Sequence, residues 1–213
     1  MRLYSLDEIV ASDFAMRPSM TGNFAVKRIF LTLAVLANIT LLIAFVLGWQ
    51  VGDTKILNGR DPDVNHRIGT HLLVGLGALT SATMVHALLL TYFMGTGRWI
   101  EETSQAYRLS GDWYRRNQRA KYGILPGILV SFLMLVVTGS LGAVADPATA
   151  VSLEKTLGIN DSTLHFSAAV CTWIVNLIVN MTQYFAITKN SAIVDGVLAE
   201  VRRIRIEKEL PVD

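Results

Sequence analysis

The chain has 213 residues, of which 52% are hydrophobic and only 17% charged, with a formal net charge of +2 and a mean hydropathy of +0.42. Soluble domains carry about a quarter charged residues, so the composition excludes an ordinary soluble protein, and the small net charge excludes a basic nucleic-acid binder. The single cysteine, Cys171, excludes an intrachain disulfide and reads as a small packing residue.

The N-terminal Ser5-Leu6-Asp7-Glu8 has the form of a capping box opening a short helix. Leu6, Ile9, Val10 and Phe14 share one side of it, so it is expected to lie along a membrane surface. Four stretches then lack Lys, Arg, Asp and Glu altogether, namely 29–50, 68–97, 122–145 and 162–188. Each reaches the roughly 20 residues that cross about 30 Å of hydrocarbon. They predict transmembrane helices at 29–50, 68–94, 122–145 and 162–188 in a single membrane domain covering 1–213. The first begins after residue 28 with no small-residue cleavage site behind it, so it reads as a retained helix.

Between the spans, Trp49 has the place of an interfacial anchor, and Gly59-Arg60-Asp61-Pro62 predicts an irregular outer loop. The middle loop, 95–121, mixes Trp99, Tyr107, Trp113 and Tyr114 with arginines, a composition suited to the headgroup layer or to a docked partner. Pro126 falls near the start of the third predicted span, where a proline is tolerated, and Asp161 is expected to cap the fourth. After Lys189-Asn190 a separate amphipathic helix is expected over 190–210, with Ile193, Val194, Val197, Leu198, Val201 and Ile204 as its apolar stripe. Fifteen of the 19 Lys and Arg residues fall in the N-terminal segment, the middle loop and the C-terminal segment. The positive-inside rule therefore places both termini in the cytoplasm, and a bacterial cytoplasmic membrane is the expected location.

With no charged residue in the spans, three histidines become the notable intramembrane groups: His71 and His86 on the second span and His165 on the fourth. An ionisable residue in hydrocarbon is costly and points to function by default. At about 100° per residue, Gly75, Ala78, Ala82 and His86 fall within roughly 60° of His71, so small side chains line the face between the histidines. On the fourth span the same arithmetic groups His165 with Ala169, Thr172, Asn176, Asn180 and Gln183. Such a polar stripe faces a bundle interior. His71 and His165 lie at similar depth on helices running the same way, and fifteen residues on, His86 matches Asn180.

In an up-down-up-down bundle the second and fourth helices sit across a diagonal, and two imidazoles reaching over it suit a flat macrocycle whose iron takes axial nitrogens. Gly75 and Ala169, one turn from each histidine, leave room for the ring, and Arg67 and Arg60 are candidates to neutralise its carboxylates. In these features the second and fourth spans resemble the four-helix membrane-bound b-type cytochromes. That resemblance implies a haem b held by His71 and His165, and Asn180 opposite His86 leaves an inner haem without a second histidine.

Three other readings stand beside it. Gly75, Ala78, Ala82 and the Asn, Thr and Gln residues are also ordinary glue between membrane helices. A metal site of His66, His71 and His165 with Asp63 nearby suits copper, zinc or iron. A quinone site is conceivable where His86, Asn176, Asn180 and Gln183 offer hydrogen bonds. No phosphate loop, paired cysteines, His-Glu-x-x-His run or nucleophile elbow is present. The expectation is thus an all-α, four-span haem-binding electron-transfer subunit working with other membrane or redox subunits, rather than a stand-alone enzyme. The competing expectation is a cofactor-free accessory or assembly subunit.

Overall fold

A computed structural model describes residues 17–51 and 62–211. The capping box at Ser5 and the loop carrying Arg60 lie outside the described residues. Every regular element among the described residues is helical: α1 (Arg17–Val51), α2 (Pro62–Tyr107), α3 (Asp112–Ala145), the short α4 (Glu154–Leu157) and α5 (Asp161–Glu207). Four of these, all but α4, are long and apolar enough to cross a membrane. Their surfaces suit lipid. Leu72, Leu73, Leu76, Leu133, Ile178 and Met181 are exposed, whereas Ser131, Thr172, Asn176 and Gln183 are buried. Hydrocarbon accepts apolar side chains but leaves polar ones unpaired, so the polar residues turn inward.

The helices outrun the predicted spans. α2 has 46 residues and α5 has 47, and at 1.5 Å per residue each is about 70 Å long, more than twice a hydrocarbon core. The middle loop expected over 95–121 contracts to residues 108–111. α2 ends with Arg108 in the left-handed region at φ 54, while the Leu109 N–H reaches back to the Ser104 carbonyl at 2.8 Å. This is the bonding pattern of a Schellman end, which satisfies a terminal carbonyl. Ser110 Oγ then accepts the Asp112 N–H at 3.2 Å where α3 begins. Because α3 starts at Asp112, Pro126 stands deep inside the helix and not in its first turns. It removes one backbone hydrogen bond there.

Packing divides the chain into two compact units. One includes 90–123 and the chain from Tyr184 onward. Its core is Ile100, Ile193 and Val197, with Leu109, Trp113, Tyr114, Val194 and Val201 packed around them. The helix break expected at Lys189-Asn190 is absent, since α5 runs through it. The physical reason is that Asn190 is wholly buried; its Nδ2 donates to Thr96 Oγ1 at 2.9 Å and its Oδ1 accepts from Asn117 Nδ2 at 2.7 Å. With its side chain bonded across to α2 and α3, Asn190 does not compete for its own backbone. Trp113 lies over Gly196 and donates its indole N–H to Glu200 at 2.7 Å.

The other unit comprises Thr32–Leu89 and Ile124–Gln183. Its connection between α3 and α5 is pinned by Asp161, which is buried and accepts from Ser152 Oγ at 2.7 Å and from the Leu153 N–H at 2.9 Å. Asp161 is thus spent on the connection. The cap of α5 is Asn160, whose Oδ1 accepts the Ser162 N–H at 2.9 Å.

Candidate cofactor site

The second unit holds a cavity of about 780 Å³, within the range of about 300–1,000 Å³ common for ligand and cofactor sites. Its wall comes from the last turns of α1 and α3 and the first turns of α2 and α5. Leu41, Leu72, Leu76 and Leu79 make much of it apolar. Phe45, Trp49 and Phe166 close one side, with Phe166 ring centroids 5.0 Å from Phe45 and 5.2 Å from Trp49. His71, His165, Gly75 and Ala169 all line the cavity, and a Cβ on Gly75 would meet nothing within 4 Å.

The two histidine rings stand 6.0 Å apart, centroid to centroid, with their planes at 68°. Each rests on a glycine of a different helix. His71 Nδ1 lies 3.0 Å from the Ala44 carbonyl. A carbonyl can only accept, so Nδ1 carries the proton and Nε2 keeps its lone pair. One turn after Ala44 comes Gly48, where a Cβ would fall 2.8 Å from the His71 Cε1. The absence of a side chain lets the ring lie on the helix backbone.

On α3 the Thr138 backbone approaches the His165 ring, although Nδ1, buried, lacks a hydrogen bond of good geometry. One turn after Thr138 comes Gly142, where a Cβ would fall 3.0 Å from the His165 Cε1. Thr138 is held in turn, its Oγ1 lying 2.6 Å from Thr172 Oγ1, which also donates to the Met134 carbonyl at 3.1 Å. The two seats share a glycine and an imidazole from the neighbouring helix, but only His71 has a hydrogen-bonded backbone carbonyl behind it.

These features fit a metal-centred macrocycle. An imidazole nitrogen binds a transition metal at about 2 Å, so two imidazoles that shared one metal ion would have ring centroids about 6 Å apart. The separation here is 6.0 Å. The buried Nδ1 of His165 is left without a hydrogen bond, an unsatisfied polar group that a purely structural contact does not explain.

The remaining sequence-predicted residues are placed otherwise. His66 and Arg67 are exposed and do not line the cavity. Among the described residues, no three of His, Cys, Asp and Glu form a group that could hold a metal ion. His86 is buried in a separate hydrogen-bonded cluster. Gln183 Nε2 donates to its Nδ1 at 2.8 Å, which leaves Nε2 protonated, 3.1 Å from Asn176 Oδ1 and 3.0 Å from Ser131 Oγ. Asn176 passes the chain on, its Nδ2 donating to the Thr172 carbonyl at 3.0 Å. Asn180 is buried at the same helix face but takes no part, its Oδ1 having no partner. Both His86 nitrogens are thus occupied, and neither His86, Asn180 nor Gln183 lines the cavity.

Sequence reasoning missed Ala44, Gly48, Thr138, Gly142, Ser131 and the aromatic wall. The available signal was Gly48 and Gly142, each a glycine near the end of an apolar span at the depth predicted for the histidines. No protein family, curated protein or solved structure matches this chain.

Proposed function

We propose that the chain is a membrane-embedded, haem b-binding electron-transfer subunit of a larger redox complex, its four long helices arranged up-down-up-down with both termini cytoplasmic. The observation that carries this reading is the pair of glycine-seated imidazoles 6.0 Å apart at the wall of an apolar cavity. The arrangement of the helices is supported by the cavity wall itself, which joins the C-terminal turns of α1 and α3 to the N-terminal turns of α2 and α5. The orientation is supported by the distribution of Lys and Arg.

When bound, haem supplies a reversible one-electron couple. The chain's own part is to hold and insulate it. His71 would offer its Nε2 lone pair and His165 a ring nitrogen, and the Ala44 carbonyl fixes the His71 tautomer, as a hydrogen bond behind a metal-ligating histidine does. The leucines and the aromatic wall keep water away, so little solvent reorganises when the charge changes. Ser162, Thr163 and the capped start of α5 form the cavity's polar edge, suited to carboxylates at a helix N-terminus. A quinol or another donor on one side and a partner redox protein on the other complete the reading.

The visible spectrum of the purified, dithionite-reduced protein tests it. A Soret band with sharp alpha and beta bands is expected, lost in His71→Ala and in His165→Ala. A colourless, well-folded preparation, still colourless after incubation with haem, would return the chain to the cofactor-free accessory reading.

A further inference from the structure

Of the described residues lining the cavity, only one carries a formal charge: Asp146. It directly follows the last residue of α3, one turn beyond the Gly142 on which the His165 ring rests. Its position is fixed by a small turn of its own making. Oδ1 accepts the Ala148 N–H at 2.8 Å and the backbone carbonyl accepts the Thr149 N–H at 3.0 Å, an Asx turn of the kind aspartate and asparagine both form. A turn of this type does not need a charge. Asparagine would serve it equally, so the hydrogen bonds leave the choice of a carboxylate unexplained.

The surroundings give the charge a consequence. On its own side the cavity is lined by Thr149, Asn160, Ser162 and Thr163, with leucines, small residues and aromatic rings making up much of the rest, and none of the described residues in that wall is a cation. Asp146 is half-buried, and near a protein surface a carboxylate's field is screened with an effective dielectric of about 20, less than in bulk water. A redox centre that gains one electron becomes less positive by one unit, while its donor loses that electron and no bond or proton moves. A fixed negative charge beside the cavity therefore favours the oxidised state over the reduced one.

We propose that Asp146 is a positioning residue for charge that holds down the electron affinity of the cavity's redox cofactor. The inference rests on the haem reading above and adds to it which side chain sets the potential. A unit charge about 10 Å away, at an effective dielectric of about 20, changes a one-electron equilibrium about tenfold. Tenfold is 59 mV for a one-electron couple. The same carboxylate opposes anionic groups on the occupant, so it also weakens binding of a macrocycle carrying carboxylates.

The test is a spectroscopic redox titration of the full chain in nanodiscs, comparing wild type with Asp146→Asn and Asp146→Glu. Asp146→Asn keeps the turn and removes the charge, so its midpoint is expected to rise by about 59 mV, the tenfold shift above. Asp146→Glu keeps the charge and is expected to stay near wild type. Quenching of tryptophan emission by added haem gives a second readout on the cofactor-free chain, since Trp49 lines the cavity. Asp146→Asn should bind haem more tightly there. Should Asp146→Asn fail to assemble, Asp146→Ser also retains a turn-forming oxygen and carries the same expectation. An unchanged midpoint in the neutral variants overturns the inference and leaves the haem reading standing, as do equal shifts in Asn and Glu. A wild-type protein that never takes up haem overturns both.

Discussion

Gly48 of α1 and His71 of α2 share one space, since a methyl group on the glycine would stand 2.8 Å from the imidazole Cε1. Gly142 and His165 repeat the relationship at 3.0 Å. Gly48→Ala and Gly142→Ala are therefore expected to tilt the rings and cost about 1–3 kcal/mol each through overpacking. They should also broaden or shift the reduced alpha band. Gly75→Ala is the control, because its Cβ meets nothing within 4 Å. Thermal melts and reduced spectra of the three variants check this, and an impaired Gly75→Ala beside an unaffected Gly48→Ala would refute the seating argument.

His86 joins α2 to Ser131 of α3 and to Asn176 and Gln183 of α5. His86→Leu strands those three polar groups in a buried setting. Hydrogen bonds between membrane helices are worth about 0.6–1.7 kcal/mol each, so a total loss of about 2–5 kcal/mol is expected. The haem spectrum should survive, because His86 does not line the cavity. Unfolding in a denaturing detergent series measures the first effect. A lost Soret band in a folded His86→Leu protein would contradict the second.

Gly196 meets Trp113 as closely as Gly48 meets His71: a Cβ there would fall 2.5 Å from the indole. Gly196→Ala should displace Trp113 from Ile193 and Val197 and cost about 1–3 kcal/mol. Trp113→Phe gives up the bond to Glu200 and should cost about 1 kcal/mol. Both are expected to open this unit to trypsin at Arg115, Arg116 and Arg119, and cleavage no faster than in wild type would count against the packing described.

Arg108 ends α2 with φ at 54, a conformation in which a Cβ is unfavourable. Arg108→Gly is expected to stabilise the chain by about 0.4–1 kcal/mol. A lowered melting temperature would show that the arginine side chain matters more than its backbone.

The four helices long and apolar enough to span a membrane were legible because hydrocarbon tolerates no unpaired charge, and long charge-free stretches are plain in a sequence. The inward face of α5 was legible for the same reason: Thr172, Asn176, Asn180 and Gln183 repeat at helical spacing and are all buried. His71 and His165 were found because they sit at matched depth. What supports them was not legible. The Ala44 carbonyl is a backbone atom with no sequence signature, and Gly48 differs from other glycines only in facing His71. The continuity of α5 through Lys189-Asn190 was missed because Asn190 reads locally as a helix end, whereas its bonds to Thr96 and Asn117 are tertiary.

The two-sided seating of the histidines also has a consequence for the order of biosynthesis. His71 and its support, Ala44 and Gly48, leave the ribosome together, whereas His165 follows 94 residues later. The first half of the site therefore inserts as a helix pair with its imidazole already oriented, and waits while α3 and the connection to α5 are made. Only the last long helix closes it. Any cofactor held by both histidines gains its second ligand only once residue 165 has been made, and a chain stalled before it would display an open imidazole.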